Sequence, residues 1–556
     1  MKGLRICAAF LCLLLAAAPA ANGAGLVRSI DSGSVFIDVN GENGFSGDYV
    51  VIYNPAESSE SALSTGDIGS LIESAAAPSA SYGECEVDID SALIQKELAE
   101  NASLPQELAA CFGARDVEFH VGDTRVFTLN YYSPLGQQVE FKLLAVGEYC
   151  LVWTPTSTAE NVYPLDSIDS SYADIACAKF DASYPLLVEY LDAVGAASTG
   201  GRISLLYYNI DDGWVSGRPY LGGFFSSADC SSNGIPVISL DTYPGVYHPT
   251  DDGGWDSRFE RSFGIAVHEY QHMVNFLRCS GKMELWLNEC MSSAAEEFCY
   301  PGSCLVQRIP GWVHNNIVGQ GEQLDPPAEY PAVEDFAVHN GASLYDWQDG
   351  QADVGALYGR GTLFSQYLYT HFGNEVFREI LMNYKTAGSA SAVLQQATGL
   401  SMSELVQRFY IALTANCAEG EYSFAMQQGY DPEEYYGVES LYEWLAPVVY
   451  GGEGLEIAGG GAVTVKPVGG TYFPPEDADE GLIYIGVTLD PGIKGDVDGN
   501  GVVNANDALL LMRYALGLMP LTDVQLARAD VDENGSVNAN DALRIMRYKL
   551  GLIPEL

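Results

Sequence analysis

The period of the apolar positions changes several times along this chain, and each change marks a predicted element. Residues 34–54, "SVFIDVNGENGFSGDYVVIYN", set short apolar runs between turn residues and read as strands. The Ser/Ala-rich stretch from Ser58 to Ser81 has no period and reads as a linker. From Val117 to Pro155 apolar and polar residues alternate around turn signals, the pattern of an antiparallel β module. "ISLLYY" (Ile203 to Tyr208) and "IPVISL" (Ile235 to Leu240) are continuous apolar runs, expected of buried strands. From Ser262 to about Ala415 the spacing becomes helical, in "LYGRGTLFSQYLYTHF" and "SMSELVQRFYIALT". Strand character returns in "VVYGGEGLEIAGGGAVTVKPVGG" before the tail.

The tail is an internal repeat. "GDVDGNGVVNANDALLLMRYALGL" is followed by "ADVDENGSVNANDALRIMRYKLGL", so that Asp496 corresponds to Asp530. Each copy fits D-x-D-x-N-G-x5-D, close to an EF-hand loop. Calcium takes six to eight oxygens, and a loop delivers them only at set positions. Here Asp496, Asp498, Asn500, Asn504 and Asp507 stand at positions 1, 3, 5, 9 and 12, with the Val502 carbonyl at 7. Asp530, Asp532, Asn534, Asn538 and Asp541 repeat them, with Ser536 at 7. Gly501 and Gly535 occupy the sharp turn, where a Cβ is disfavoured. A helix follows each loop, but neither loop has a clear entering helix in the sequence.

The predicted helix "FGIAVHEYQHMVNF" carries the other candidate chemistry. Residues four apart on a helix lie one above the other, so His268 and His272 can face one ion. Glu269, about 100° away, can reach a water at that ion without being a ligand. Zinc needs a third protein ligand and leaves a fourth position open. A turn at "RCSGK" and an antiparallel helix "ELWLNECMSSAAEEF" would return Glu289 to the two histidines. Glu296, two turns beyond Glu289, reads either as an acceptor for a histidine N–H or as a solvated charge.

Both regions resemble known families. The duplicated loop–helix from about Lys494 to Leu556 resembles a type I dockerin. That resemblance implies two calcium ions and docking onto a cohesin domain of a cellulosome-type scaffold. The implied cohesin contacts are Ala505, Asn506, Met512 and Arg513, with their twins Ala539, Asn540, Met546 and Arg547. The W-L-N-E arrangement after H-E-x-x-H is that of gluzincin metallopeptidases. Together with "GEYCLVWTP", "LLYYNIDD" and "FGNEVFREIL", it resembles the hyicolysin-type peptidases over roughly Val117 to Asn416. The resemblance implies a zinc metallopeptidase acting on polypeptides, with Glu289 as third ligand and Glu269 as base. From the family pattern Tyr358 is a candidate oxyanion donor, with His314, His339 and His371 as competitors.

Net charge of −48 removes nucleic acid and anionic membrane surfaces from the partners, since both are polyanions. The first 24 residues have the charged start, apolar run and small-residue end of a secretory signal, and no later segment is a membrane span. Export brings disulfides into play. Ten cysteines follow the signal, and Cys279, Cys290, Cys299 and Cys304 are expected as disulfides or buried thiols.

The expectation is a multidomain α+β chain. It comprises a signal (1–24), an N-terminal β-rich region or propeptide with linker (25–116) and a β-rich module (117–202). A zincin-like catalytic domain with a mostly helical C-terminal part (203–416), a small β module (417–493) and an α-helical dockerin (494–556) follow. A secreted, scaffold-associated zinc endopeptidase is the functional expectation. The alternative is a catalytically silent peptidase fold that serves only to bind cohesin.

Overall fold

In a computed structural model the chain divides into two compact units, one built on Gly41–Asp490 and the other on Pro491–Leu556. Described are residues 35–39, 41, 44–73, 86–87, 96–113, 118–131, 137–157, 166–192, 201–215, 220–250, 254–304 and 341–345. Described as well are 354–415, 417, 420–431, 449–489, 493–498, 502–516, 518–519, 521, 523–532, 534 and 536–556. Residues 1–24, expected as a signal, lie outside the described residues, as do Asn500, Gly501, Gly535, His314 and His339. No helix among those described is long and apolar enough to cross a membrane.

The larger unit is organised by one six-stranded sheet. Its strands are β1 (Thr124–Thr128), β2 (Gln138–Val146), β3 (Cys150–Pro155), β4 (Ile203–Tyr208), β5 (Gly223–Phe225) and β6 (Val237–Asp241). Their spatial order is β5-β6-β4-β3-β2-β1. The alternating strand β2 pairs antiparallel with its neighbours, and the continuously apolar β4 runs parallel to both β3 and β6. A strand buried on both faces belongs in the middle of a parallel stretch. The boundary expected at residue 202 therefore falls inside one sheet: the run read as a separate β module supplies half of it.

Helix α1 (Leu104–Gly113) packs on α3 (Ser227–Asn233), while α2 (Ser170–Leu191), α3 and α4 (Arg261–Cys279) lie against this sheet; α5 (Leu285–Cys299) packs on α4, and α6 (Val354–Phe372), α7 (Glu375–Ala387), α8 (Ala390–Thr398) and α9 (Met402–Ala415) complete the helical part. Every residue from Ala266 to Phe276 and from Trp286 to Phe298 is buried, so α4 and α5 are central helices covered on all sides. Helix α4 comes so close to the edge strand β5 that a Cβ on Gly223 would stand 2.7 Å from Ile265 Cγ2. Phe180 and Tyr184 of α2 pack on Tyr270 of α4, and Asp192 at the end of α2 receives both Arg278 and Arg378.

Two further expectations change. Tyr49–Tyr53 is the middle strand of a second sheet, pairing antiparallel with Ala462–Val465 on one side and Ile483–Thr488 on the other. Ile68 and Ile72, inside the supposed linker, are buried in that core with Val50, Ile52, Val463 and Tyr472. The short apolar residues were hidden among serines and alanines, and their partners lie about 400 positions away. Tyr410 and Thr414 of α9 hydrogen-bond Gly460 O and Thr464 Oγ1, both at 2.8 Å, fastening the second sheet to the helical part. Cys279, Cys290 and Cys299 are thiols, as the second of the two alternatives held.

In the smaller unit, Ala505–Ala515 and Ala539–Lys549 form α10 and α12, packed around Val497, Leu511, Val531 and Ile545. A short helix, α11 (Asp523–Ala529), ends immediately before Asp530, so the second loop does have an entering helix. Its seven residues are too few to show a period in sequence.

Candidate metal centre and C-terminal loops

Helices α4 and α5 form an antiparallel pair because two successive left-handed residues, Ser280 (φ 56°) and Gly281 (φ 67°), reverse the chain at Cys279. His268 and His272 stand one turn apart on α4, and Glu289 returns beside them from α5. Glu289 Oε2 lies 3.3 Å from His268 Nε2 and 3.7 Å from His272 Nε2. The ligand atoms of the three residues are within 4.8 Å of one another, and all three side chains are buried. Among the described residues, neither carboxylate oxygen of Glu289 has a hydrogen-bond partner. Burying such a group is costly unless a cation compensates it, and two imidazole nitrogens with one carboxylate suit zinc. The residues present fit that ion.

Both histidines are held from behind. Glu296 Oε1 is 2.7 Å from His268 Nδ1, which selects the acceptor reading over the solvated charge. Glu296 in turn accepts from Cys304 Sγ at 2.9 Å. Ser292 Oγ is 3.1 Å from His272 Nδ1. Pairing at Nδ1 leaves each Nε2 to face Glu289, the arrangement in which a neutral imidazole offers its lone pair there. The register of the two helices is fixed by Asn275, whose amide donates to Asn288 Oδ1, the residue before Glu289.

The Glu269 carboxylate is buried beside this cluster, and its Oε2 accepts the amide of Phe225 from β5 at 3.0 Å. Tyr358 is buried too, with its ring 6.5 Å from that of His268. His371 is placed elsewhere in its bonding: Nε2 lies 3.1 Å from Ser423 O, the ring packs on Tyr367, and burial lowers its pKa.

Sequence reading missed Ser292, Cys304, Asn275 and the Phe225 amide. Ser292 was detectable, being three residues after Glu289 on the same helical face. The others join through tertiary structure alone.

In the C-terminal unit, Asp496, Asp498 and Asp507 form one carboxylate cluster, and Asp530, Asp532 and Asp541 form another. Three converging carboxylates in each loop fit calcium. Asn504 and Asn538 also cap α10 and α12, accepting from Asn506 N at 2.8 Å and Asn540 N at 2.9 Å. Asp507 and Asp541 close the capping boxes by accepting from Asn504 N and Asn538 N. Asn504 Nδ2 and Asn538 Nδ2 hold the carbonyls of Val502 and Ser536, both at 2.8 Å. Of the expected contact residues, Ala505, Asn506, Met512 and Arg513 are exposed, as are Ala539, Asn540 and Arg547, while Met546 is half-buried.

Residues 494–549 match the dockerin type I domain. The chain is similar to a metallopeptidase: it is 27% identical over 386 residues to "Neutral metalloprotease ShpI" of Staphylococcus hyicus. That alignment covers 66% of this chain and 77% of the relative. The chain is thus similar to a metalloprotease and carries a dockerin type I domain at its C-terminal end.

Proposed function

We propose that this chain is an exported zinc metalloendopeptidase whose dockerin attaches it to a cohesin-bearing scaffold outside the cell. The convergence of His268, His272 and Glu289, with both Glu289 oxygens buried and without hydrogen bonds among the described residues, carries the reading. These three residues hold one zinc ion, which supplies Lewis-acid polarisation of the scissile carbonyl and activation of water. Glu269 takes the proton of the attacking water and passes it to the leaving amine. The Phe225 amide fixes one oxygen of Glu269 and with it the direction of the carboxylate. Tyr358 donates to the developing oxyanion. Two calcium ions bind at the loops beginning at Asp496 and Asp530, ordering α10 and α12 so that their exposed faces meet cohesin. An intact base beside a complete ligand set favours this over the silent binding subunit.

Hydrolysis of casein by the purified mature chain and by its Glu269→Gln variant, with zinc content recorded, tests the reading. Activity in the parent, and a loss of at least about a hundredfold in a variant that retains zinc, is expected. A chain that holds no zinc and cleaves nothing refutes the enzyme and leaves the dockerin function alone.

A further inference from the structure

Several described thiols outside the metal cluster have ordinary partners. Cys111 donates to Glu107 O, Cys230 to Val237 O and Cys299 to Ser183 O, all backbone carbonyls. Cys150 and Cys177 differ: their sulfurs face each other at 3.5 Å. Cys150 lies on β3 and is fully buried. Cys177 lies in the middle of the face that α2 turns to the sheet, between Ala173 and Phe180, and is 6% exposed. We propose that these two residues are a crosslinking site, oxidised to a disulfide that fastens α2 to the sheet.

Closing the gap to a sulfur–sulfur bond requires an approach of about 1.5 Å, within the reach of side-chain rotation and a small helix shift. The oxidant is a disulfide of another molecule, of the class that serves exported proteins. One thiolate attacks it to form a mixed disulfide. The second thiolate then displaces the carrier, forming the Cys150–Cys177 bond. Two S–H bonds and the carrier's S–S bond break, the electron pair reduces the carrier to two thiolates, and these take up, through solvent, the two protons the cysteines released, leaving as two thiols. In the folded protein the Cys150 thiol is held well above its ordinary range, first by the hydrogen bond it donates to Cys177 and then by burial. A thiol of that kind is a poor nucleophile, so the bond forms before α2 is fully seated.

The placement has a consequence for the peptidase. Phe180 and Tyr184, one and two turns beyond Cys177, pack on Tyr270 between the two metal-facing histidines. A crosslink at Cys177 therefore pins the helix that backs the metal centre and opposes the local opening on which proteolysis depends. It rests on export only for its oxidant, which can also be supplied in vitro.

The experiment uses the full mature chain, refolded with glutathione disulfide and glutathione. Remaining thiols are then alkylated and the peptides mapped without reduction. A linked Cys150–Cys177 peptide is expected, together with a melting temperature that dithiothreitol lowers by about 5 °C. The Cys150→Val/Cys177→Ala double variant, and separately Cys177→Ser, lose the linked peptide and are insensitive to the reductant. Alkylation of both cysteines in the folded, oxidised parent overturns the proposal. So does pairing of either with another cysteine, or an equal reductant shift in the variants. None of these readouts depends on peptidase activity.

Discussion

Replacing Glu296 with glutamine tests the wiring of the metal centre. Glu296 Oε1 sits 2.7 Å from His268 Nδ1 in a buried site. A hydrogen bond to an ionised carboxylate contributes about 1.5–3 kcal/mol, and its neutral counterpart about 0.5–1.5. The Gln variant keeps volume and an amide oxygen but loses the charge, at a cost of about 1–1.5 kcal/mol to the oriented, electron-rich imidazole. At about 1.4 kcal/mol per tenfold, zinc affinity falls by roughly tenfold. Glu296→Ala removes the acceptor altogether and strands the Cys304 thiol, so its loss approaches a hundredfold. Competition with a chromophoric chelator measures both, and circular dichroism checks the fold. A Glu296→Gln variant that is folded and binds zinc within twofold of the parent would refute the reasoning, because His268 would then need no partner at Nδ1.

Asp229 offers a pH test. Burial pushes its carboxyl up to about 7, although Asn130 donates to it twice. Folding therefore takes up a proton between the unfolded value near 4 and about 7. The stability this group contributes is full below about pH 4 and is lost as pH rises to 7, by at most about 4 kcal/mol. Asp229→Asn should flatten the slope of stability against pH in that window; an unchanged slope refutes the assignment. Leu287→Ala, at a fully buried position of α5, should cost about 2–5 kcal/mol in denaturant unfolding. Deleting residues 25–73 removes the middle strand of the second sheet, so the truncated chain should aggregate or lose that sheet's protection from hydrogen exchange. A stable, active truncation would restore the propeptide reading. Calcium removal by a chelator should unfold α10 and α12, read as lost helical signal in the isolated chain 491–556, and readdition should restore it.

Much of this protein is local, and what is local was legible. His268, Glu269 and His272 are one helical turn of sequence, and helical geometry alone stacks the two imidazoles. The calcium loops are twelve consecutive residues each, and their ligand spacing is a property of the loop. The β4 run "ISLLYY" announced a buried strand because Ser204 is its one small polar residue among apolar ones. Glu289 was accessible because a single short turn separates its helix from the first, so the return path had few alternatives.

What the sequence could not decide was which distant segments pair. Hydrogen bonds and apolar contacts reward any compatible partner, and a chain of 556 residues offers many. Tyr49–Tyr53 could belong to a propeptide, a free module or a sheet; only the tertiary structure joined it to strands some 400 positions later. The same holds for Cys304 reaching Glu296, Phe225 reaching Glu269, and Cys150 meeting Cys177. Each contact depends on elements whose relative placement is set by the packing of the whole core. The sequence determined which residues can do the chemistry, and the fold decided which groups hold them in position.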